Sequence, residues 1–156
     1  MARSTAFALR FRVPGWARDV SISLNGAAAR VPCVPGTWAV LDRTWNPGDN
    51  VEIKLPLRFR LQPVDRWHPD RIALVRGPVV FVQEGNTHEP VYRLPDDETS
   101  LNAQLVVDRS PAEFRFVPPD KTNVQGRFRP FYAMGENHPY RMYLDRTALP
   151  FILWSA

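Results

Sequence analysis

The stretch that decides the fold runs from Phe7 to Gly48 and contains three patterned segments. They read FALRFRVPGW at positions 7–16, VSISLNG at 20–26 and GTWAVLDRTWNPG at 36–48. In each segment apolar residues alternate with polar ones, and a Pro-Gly, Asn-Gly or Asn-Pro-Gly turn lies at or near its end. A period of two residues bounded by such turns is typical of short antiparallel strands. The stretch therefore predicts part of a β-sandwich.

The pattern of strands and turns continues towards the C-terminus. Asn25-Gly26 is the residue pair that a type I′ hairpin turn requires, because both residues tolerate positive φ. The run Val51–Leu61 keeps apolar residues in one phase, and Pro56 within it predicts an edge position or a bend between two sheets. Further candidate strands follow at 72–75, 79–82, 101–107, 113–117, 128–132, 140–144 and 151–154.

The composition changes between the two halves of the chain. Residues 86–94 are rich in Asn, Thr, His, Glu and Pro, which is typical of a linker or a long surface loop. We therefore predict an all-β protein of antiparallel, jelly-roll-like sandwich architecture. It would have two packed modules, residues 1–85 and a smaller one at 95–156.

Composition limits the classes of protein to which the chain can belong. Of 156 residues, 44% are hydrophobic and 12% aromatic, which indicates a globular chain, and 16 prolines leave little room for long helices. The net charge is +4, but the arginines lie on the polar phase of strands and form no concentrated patch. No apolar run approaches the ~20 residues that span a bilayer. We expect neither a nucleic-acid nor a membrane partner, and the cellular compartment stays open.

Residues that could perform catalysis are few and scattered. The single cysteine, Cys33, excludes an intrachain disulfide and a multi-thiolate metal site. The three histidines lie in separate proline-rich loops, which favours no metal ligation, and no cofactor motif occurs. Two carboxylate pairs could serve glycoside hydrolysis, although turn-like sequence surrounds them: Asp65 with Asp70, and Glu84 with Glu89.

Aromatic residues are the remaining candidates for a binding site. Aromatic faces pack on the apolar C–H faces of sugar rings as they pack on other apolar surfaces. Most of the five tryptophans should be core, and Trp38 in particular keeps phase with Val40. The candidate carbohydrate-binding residues are Trp67, His68, Tyr132 and Tyr140.

Four segments together resemble the C-terminal β-sandwich region of glycoside hydrolase family 127, whose characterised members include β-L-arabinofuranosidases. The segments are Phe7–Ala17, Ile22–Gly26, Arg43–Asp49 and Ala73–Phe81, and both their order and their spacing are similar to the family's. The segments Phe128–Tyr132 and Tyr140–Tyr143 are more weakly similar to the family's closing segment.

The resemblance implies a fold and a role. In that family an N-terminal (α/α)6 barrel carries catalysis, through a cysteine nucleophile, a glutamate acid/base and a zinc ion held largely by thiolates. None of those motifs matches positions in this sequence, so the resemblance transfers no catalytic residue. It implies a non-catalytic accessory region, without hydrolase activity as an isolated chain, that supports a catalytic barrel or a sugar-binding cleft. Plant-type, arabinose-containing glycans are the implied ligands. Two alternatives stay open: an independent carbohydrate-binding module and a self-standing glycosidase that uses a carboxylate pair.

Overall fold

A computed structural model describes residues 3–85, 94–108, 110, 112–117 and 126–145, and the chain divides into two compact units. Unit 1 comprises residues 1–57 and unit 2 comprises residues 58–156. All strand pairs among the described residues are antiparallel, and this strand-dominated structure confirms the all-β prediction. The division between the units differs from the predicted one, because strands on both sides of the predicted linker at 86–94 pair with each other in unit 2.

Unit 1 consists of two small sheets. Strand β1 (Thr5–Arg12) pairs along its whole length with β4 (Trp38–Trp45), and β2 (Ser21–Leu24) lies between β3 (Ala27–Ala28) and β5 (Val51–Lys54). The β2–β3 turn has positive φ at Asn25 (51°) and Gly26 (82°), as the predicted type I′ turn requires.

The two sheets of unit 1 enclose one apolar core. Alternate residues of β1 and β4 point to it, and so do alternate residues of β2 and β5. Trp45 lies at the margin, where its indole N–H donates to the Phe7 carbonyl (2.9 Å) and the two rings stack with centroids 5.5 Å apart. The core comprises Val13, Ile22, Ala39, Leu41 and Trp45, with Leu9, Phe11, Leu24, Val51 and Ile53 partly buried against it.

The predicted long strand at 51–61 is two strands. β5 ends at Lys54 in a sheet of unit 1, and β6 (Phe59–Pro63) begins in a sheet of unit 2. Pro56 lies in the non-strand segment that separates them. Proline has no N–H to donate to a ladder, and the chain leaves one sheet and enters another on either side of this residue.

Unit 2 is built on a curled eight-stranded sheet. The order of its main path is β13 (Tyr143–Asp145), β7 (Arg71–Arg76), β8 (Val79–Glu84), β11 (Arg127–Pro130), β10 (Phe114–Phe116) and β9 (Leu105–Val107). In addition, β6 pairs with β7, and β12 (Tyr140–Arg141) pairs with β8. A short 3-10 turn, Phe131–Ala133, follows β11. The predicted strand at 151–154 lies outside the described residues.

One face of this sheet carries the core of unit 2. Phe59, Phe81 and Phe114 meet edge to face with ring centroids 4.7–5.6 Å apart, and the Arg76 guanidinium lies over two of these rings. Such aromatic contacts add ~1 kcal/mol each to the burial itself. The other buried members are Ile72, Leu74, Leu94, Leu101, Leu105, Phe116, Phe128 and Leu144.

A helix, α1 (Glu98–Gln104), replaces the first part of the strand predicted at 101–107. Asp97 caps it, because its side chain accepts from the Ser100 N–H at 2.8 Å, and only Leu105–Val107 is extended. Asn102 on this helix bonds to both backbone groups of Phe59: its Oδ1 accepts from the N–H (2.8 Å) and its Nδ2 donates to the carbonyl (2.9 Å). The amide thus takes the place of a neighbouring strand at the start of β6.

Candidate functional site

The aromatic residues singled out by the sequence are exposed in the structure. The exposed fractions are 72% for Trp67, 74% for Tyr132 and 42% for Tyr140. The prediction that Trp38 is a core residue is wrong: Trp38 is 56% exposed, because Ala39 and Leu41 are the residues of β4 that point to the core. The Arg12 guanidinium lies 5.9 Å from the Trp38 ring centroid on that outer face.

Trp67 and His68 belong to an ordered loop between β6 and β7. The Asp65 carboxylate organises the loop: its Oδ1 accepts from the backbone N–H groups of Trp67 (2.7 Å) and His68 (2.8 Å). The same oxygen lies 3.0 Å from His68 Nδ1. The loop is closed by a hydrogen bond from the Arg71 N–H to the His68 carbonyl, and the Arg66 guanidinium stacks 4.3 Å from the Trp67 ring.

These contacts make Asp65 a poor general acid. The hydrogen bond from His68 and those from the Trp67 and His68 backbones hold the pKa of the Asp65 carboxyl below its ordinary value. The acid of a glycosidase needs the opposite, a pKa raised by burial or by a neighbouring carboxylate. Asp65 therefore organises the loop, and its lowered pKa does not suit it to be the acid of a catalytic pair with Asp70.

A second aromatic group lies on the sheet face opposite the core of unit 2. On β7 and β8 the core residues Leu74 and Phe81 pair directly, so their strand neighbours Ala73 and Val82 point to the other face. Tyr143 pairs with Ala73, and Tyr140 pairs with Glu84, which lies two residues beyond Val82. Direct pairs share a face of the sheet, so both tyrosines lie on the face opposite the core.

The chain between the two tyrosines reverses its direction. β12 is antiparallel to β8 and β13 is antiparallel to β7, while β7 and β8 are antiparallel to each other. β12 and β13 must therefore run in opposite directions, and Met142 lies at the reversal. In one continuous strand, residues 140 and 143 would point to opposite faces. The reversal places both rings on the same face.

Charged side chains stand beside these rings. Arg129 pairs with Val82 and so lies on the same face. Its guanidinium bridges two carboxylates: Nη1 is 3.5 Å from Glu84 Oε1, and Nε is 3.1 Å from Glu113 Oε1, the latter as an ion pair whose N–H is not aligned for a hydrogen bond. Further along, Arg127 pairs with Asp108 at 3.5 Å. Arginine and carboxylate thus alternate across β8, β11 and the residues that flank β9 and β10.

The four predicted binding residues fall into two groups. Trp67 and His68 share the β6–β7 loop, whereas the Tyr140 ring contacts Phe131 with centroids 5.6 Å apart, and Tyr132 is adjacent to Phe131 in sequence. Within the described ranges, no hydrogen bond or ring contact joins the groups. Sequence reasoning did not single out Phe131, which contacts the Tyr140 ring. It did not single out Tyr143 either, because the strand period gives no sign of the reversal at Met142 that brings Tyr143 to the face of Tyr140.

The other candidate features are a metal site, a membrane-spanning helix and the second carboxylate pair, each taken only within the residues that the structure describes. Among these residues no group of three or more His, Cys, Asp or Glu side chains could hold a metal ion. None of the described helices has the length and apolar character needed to cross a membrane. Glu89 and His88 lie outside the described residues, so the predicted pair of Glu84 with Glu89 stays a prediction. Glu84 itself forms the ion pair with Arg129.

Comparisons with known proteins give matches in sequence and in fold. Residues 1–57 match the family model described as "Beta-L-arabinofuranosidase, GH127 middle domain". A structure titled "Glycoside hydrolase" aligns over 90% of this chain with a TM-score of 0.68 and 20% identity. A GH127 β-L-arabinofuranosidase from Geobacillus stearothermophilus T6 aligns over 91% (TM-score 0.67, 21% identity), and a further GH127 β-arabinofuranosidase over 92% (0.61, 19%). The search of curated proteins gave no match.

These matches confirm the predicted resemblance to glycoside hydrolase family 127. The resemblance holds in sequence for residues 1–57 and in fold for about nine-tenths of the chain. The chain spans only 27–28% of the length of the three matched structures.

Proposed function

Because residues 1–57 resemble the GH127 middle domain, we propose that this chain is a non-catalytic β-sandwich region that acts together with a glycosidase barrel of the same family. The match to the middle domain is the observation that carries the proposal. The fold supports it too, since nine-tenths of the chain aligns with little more than a quarter of each matched structure. Fold alone does not fix a function, so the role needs a direct test.

The chemistry of the described residues agrees with an accessory role. Asp65 has a lowered pKa and holds a loop, and Glu84 forms an ion pair with Arg129. The lowered pKa of Asp65 is the opposite of what the acid of a glycosidase requires. The proposed function is therefore support of a catalytic barrel and of its sugar-binding cleft, not hydrolysis by this chain.

The first test is an activity assay of the purified chain. We expect no release of the aryl group from an aryl β-L-arabinofuranoside, with or without added zinc and thiol. Turnover that follows the protein through purification would overturn the accessory role. In that case Asp65→Asn and Asp70→Asn would show whether the self-standing carboxylate reading is correct.

The second test measures whether this chain supports the activity of a catalytic barrel. The segment of the Geobacillus enzyme that aligns with this chain would be replaced by residues 1–156, and the chimera would be compared with the same enzyme lacking the segment. We expect the chimera to be soluble and to recover turnover that the truncated enzyme has lost. A chimera as inactive as the truncated enzyme, although folded by circular dichroism, would contradict the proposal.

A second candidate function is carbohydrate binding, and the exposure of several aromatic side chains favours it. Trp67 and Tyr132 are both more than 70% exposed, far more than structural aromatic residues require. Sugar binding and barrel support are compatible, because a region beside a cleft can hold the glycan that the barrel cleaves. Affinity electrophoresis in gels that contain arabinan tests this candidate, and unretarded migration would count against it.

A further inference from the structure

We propose that the sheet face formed by Phe131, Tyr140, Tyr143, Glu84 and Arg129, here called the tyrosine face, binds a neutral oligosaccharide. The inference rests on the carbohydrate-binding candidate above, to which it assigns a site and a ligand class. It does not depend on support of a barrel. It also separates this face from the Trp67 loop, with which the sequence had grouped Tyr140.

The aromatic rings of the tyrosine face are held in place and yet available. Phe131, Tyr140 and Tyr143 are 42–46% exposed, so each ring is about half-covered by protein and half-open to solvent. Phe131 and Tyr140 also fix each other through their edge-to-face contact. Rings that are already ordered lose little conformational entropy when a ligand stacks on them.

The two tyrosines form a platform and not two unrelated rings. They lie on one face, and the three residue steps from Tyr140 to Tyr143 place their Cα atoms at most ~11 Å apart. The sheet beneath them is well packed, because Ala73 and Val82 on the same face are only 7% and 0% exposed. An oligosaccharide that spans this distance could therefore contact both tyrosines.

The polar groups beside the rings match hydroxyl groups. Glu84 and Arg129 have side chains that are 32% and 27% exposed, and their ion pair holds an acceptor and a donor at a fixed separation. Hydroxyls both donate and accept, so a sugar can bond to the carboxylate and to the guanidinium at once. This combination of open aromatic faces and fixed polar groups is typical of small-molecule recognition sites.

The charges around Arg129 favour a neutral ligand over an anionic one. Arg129 lies between two carboxylates, those of Glu84 and Glu113, and Arg127 is paired with Asp108. A phosphate or uronate placed beside Arg129 would therefore meet two negative charges. Like charges at such short range are repulsive, and nucleic acid and acidic polysaccharides are disfavoured for the same reason.

The closing experiment measures binding of the full chain to defined polysaccharides by affinity electrophoresis and isothermal titration calorimetry. The probes are debranched arabinan and arabinogalactan, with polygalacturonic acid as the acidic comparison. We expect retardation by a neutral probe, about tenfold weaker binding for Tyr140→Ala and for Tyr143→Ala, and loss of binding in the double variant. Tyr140→Phe and Tyr143→Phe keep the rings and should stay within about threefold of the wild type.

Trp38→Ala is the matched control, because it removes a large exposed ring of unit 1 that belongs to neither aromatic group. We expect this variant to bind within twofold of the unmodified chain, and Trp67→Ala is measured beside it to distinguish the loop from the tyrosine face. Circular dichroism and the melting temperature of each variant show whether lost binding reflects unfolding, and the two Phe variants keep the test decisive if an Ala variant does not fold.

Several outcomes would overturn the proposal. Binding lost in Trp67→Ala but kept in the tyrosine variants would move the site to the loop and leave the carbohydrate-binding candidate intact. If the chain binds neither of the two neutral probes, both the carbohydrate-binding candidate and the tyrosine face as its site are refuted. That result would not bear on support of a barrel. Preferential binding of polygalacturonic acid would contradict the argument from charge. A change of oligomeric state in Tyr140→Ala, seen by light scattering, would make the face a protein interface instead.

Discussion

Asn102→Ala is expected to destabilise unit 2 out of proportion to the size of the side chain. The Asn102 amide makes hydrogen bonds of 2.8 and 2.9 Å to the N–H and carbonyl of Phe59, and a third of 2.7 Å to the Glu98 carbonyl. Alanine removes all three and leaves the Phe59 backbone groups at the start of β6 without their partner. The Phe59 side chain itself is 3% exposed and belongs to the core.

The magnitude follows from the two bonds to Phe59. A typical hydrogen bond contributes ~1 kcal/mol net, and an unsatisfied, partly buried backbone group costs ~1–3 kcal/mol. We therefore expect the free energy of unfolding to fall by about 2–3 kcal/mol. For a unit of about 100 residues this corresponds to a decrease in melting temperature of roughly 10 °C or more.

The assay is urea unfolding followed by circular dichroism and by tryptophan fluorescence. The midpoint should move to lower urea while the slope m stays the same, because the native surface changes little. Thr99→Ala on the exposed side of α1 is the control and should change the free energy of unfolding by less than about 0.5 kcal/mol. If the two variants unfold at the same urea concentration, the amide does not substitute for a strand and the reasoning fails.

Three further predictions concern packing, a turn and acid stability. Phe128→Ala should cost about 3–5 kcal/mol, because Phe128 is 1% exposed in the core of unit 2, and a shift below 1 kcal/mol in urea unfolding would contradict this packing. Gly26→Ala should cost about 1–2 kcal/mol since φ is +82° there, whereas Gly15→Ala, with open space and no positive φ, is the matched control. Hydrogen bonds from the Asn46 backbone and the Asn25 side chain lower the pKa of Asp49. The stabilising contribution of Asp49 is therefore complete above the unfolded pKa of ~3.9 and is lost as the pH falls through the lower folded pKa. Asp49→Asn should make unit 1 less sensitive to acid below about pH 4, and an unchanged acid transition would refute this.

Asp49 and Asn25 also show how two turns of unit 1 depend on each other. The Asn25 side chain donates to Asp49 Oδ1 at 2.8 Å and accepts from the Asn50 N–H at 2.8 Å. It thereby joins the type I′ turn after β2 to the turn that precedes β5. The sequence indicated both turns separately, but only the fold brings their polar side chains together.

Much of the fold was readable from the sequence because the relevant physics is local. Alternation placed β1, β2 and β4, and continuous apolar runs placed β7 and β8. The Asn25-Gly26 pair predicted a turn with positive φ, and Pro56 predicted the break between β5 and β6. These features depend on backbone sterics and on the period of a strand, and both act over a few residues.

The sequence did not show which face of a strand becomes core. Trp38 and Val40 have the pattern of buried residues, yet the small Ala39 and the adjacent Leu41 point inward instead. Both phases of β4 are apolar, so alternation alone leaves the choice open. Packing against the second sheet of unit 1 decides it, since that sheet's apolar face must meet one side of β4.

The candidate site depends on tertiary structure for the same reason. The sequence determined that aromatic residues are plentiful near the C-terminus, and it identified Tyr140 as a candidate. Only the tertiary structure brings Tyr140 and Tyr143 to one face. β12 pairs with β8 and β13 pairs with β7, so the chain reverses at Met142 between β12 and β13. Strand pairing is a long-range interaction, and no local period of the sequence records it. The sequence thus determined which residues could stack on a sugar, and the sheet topology decided which of them stand together.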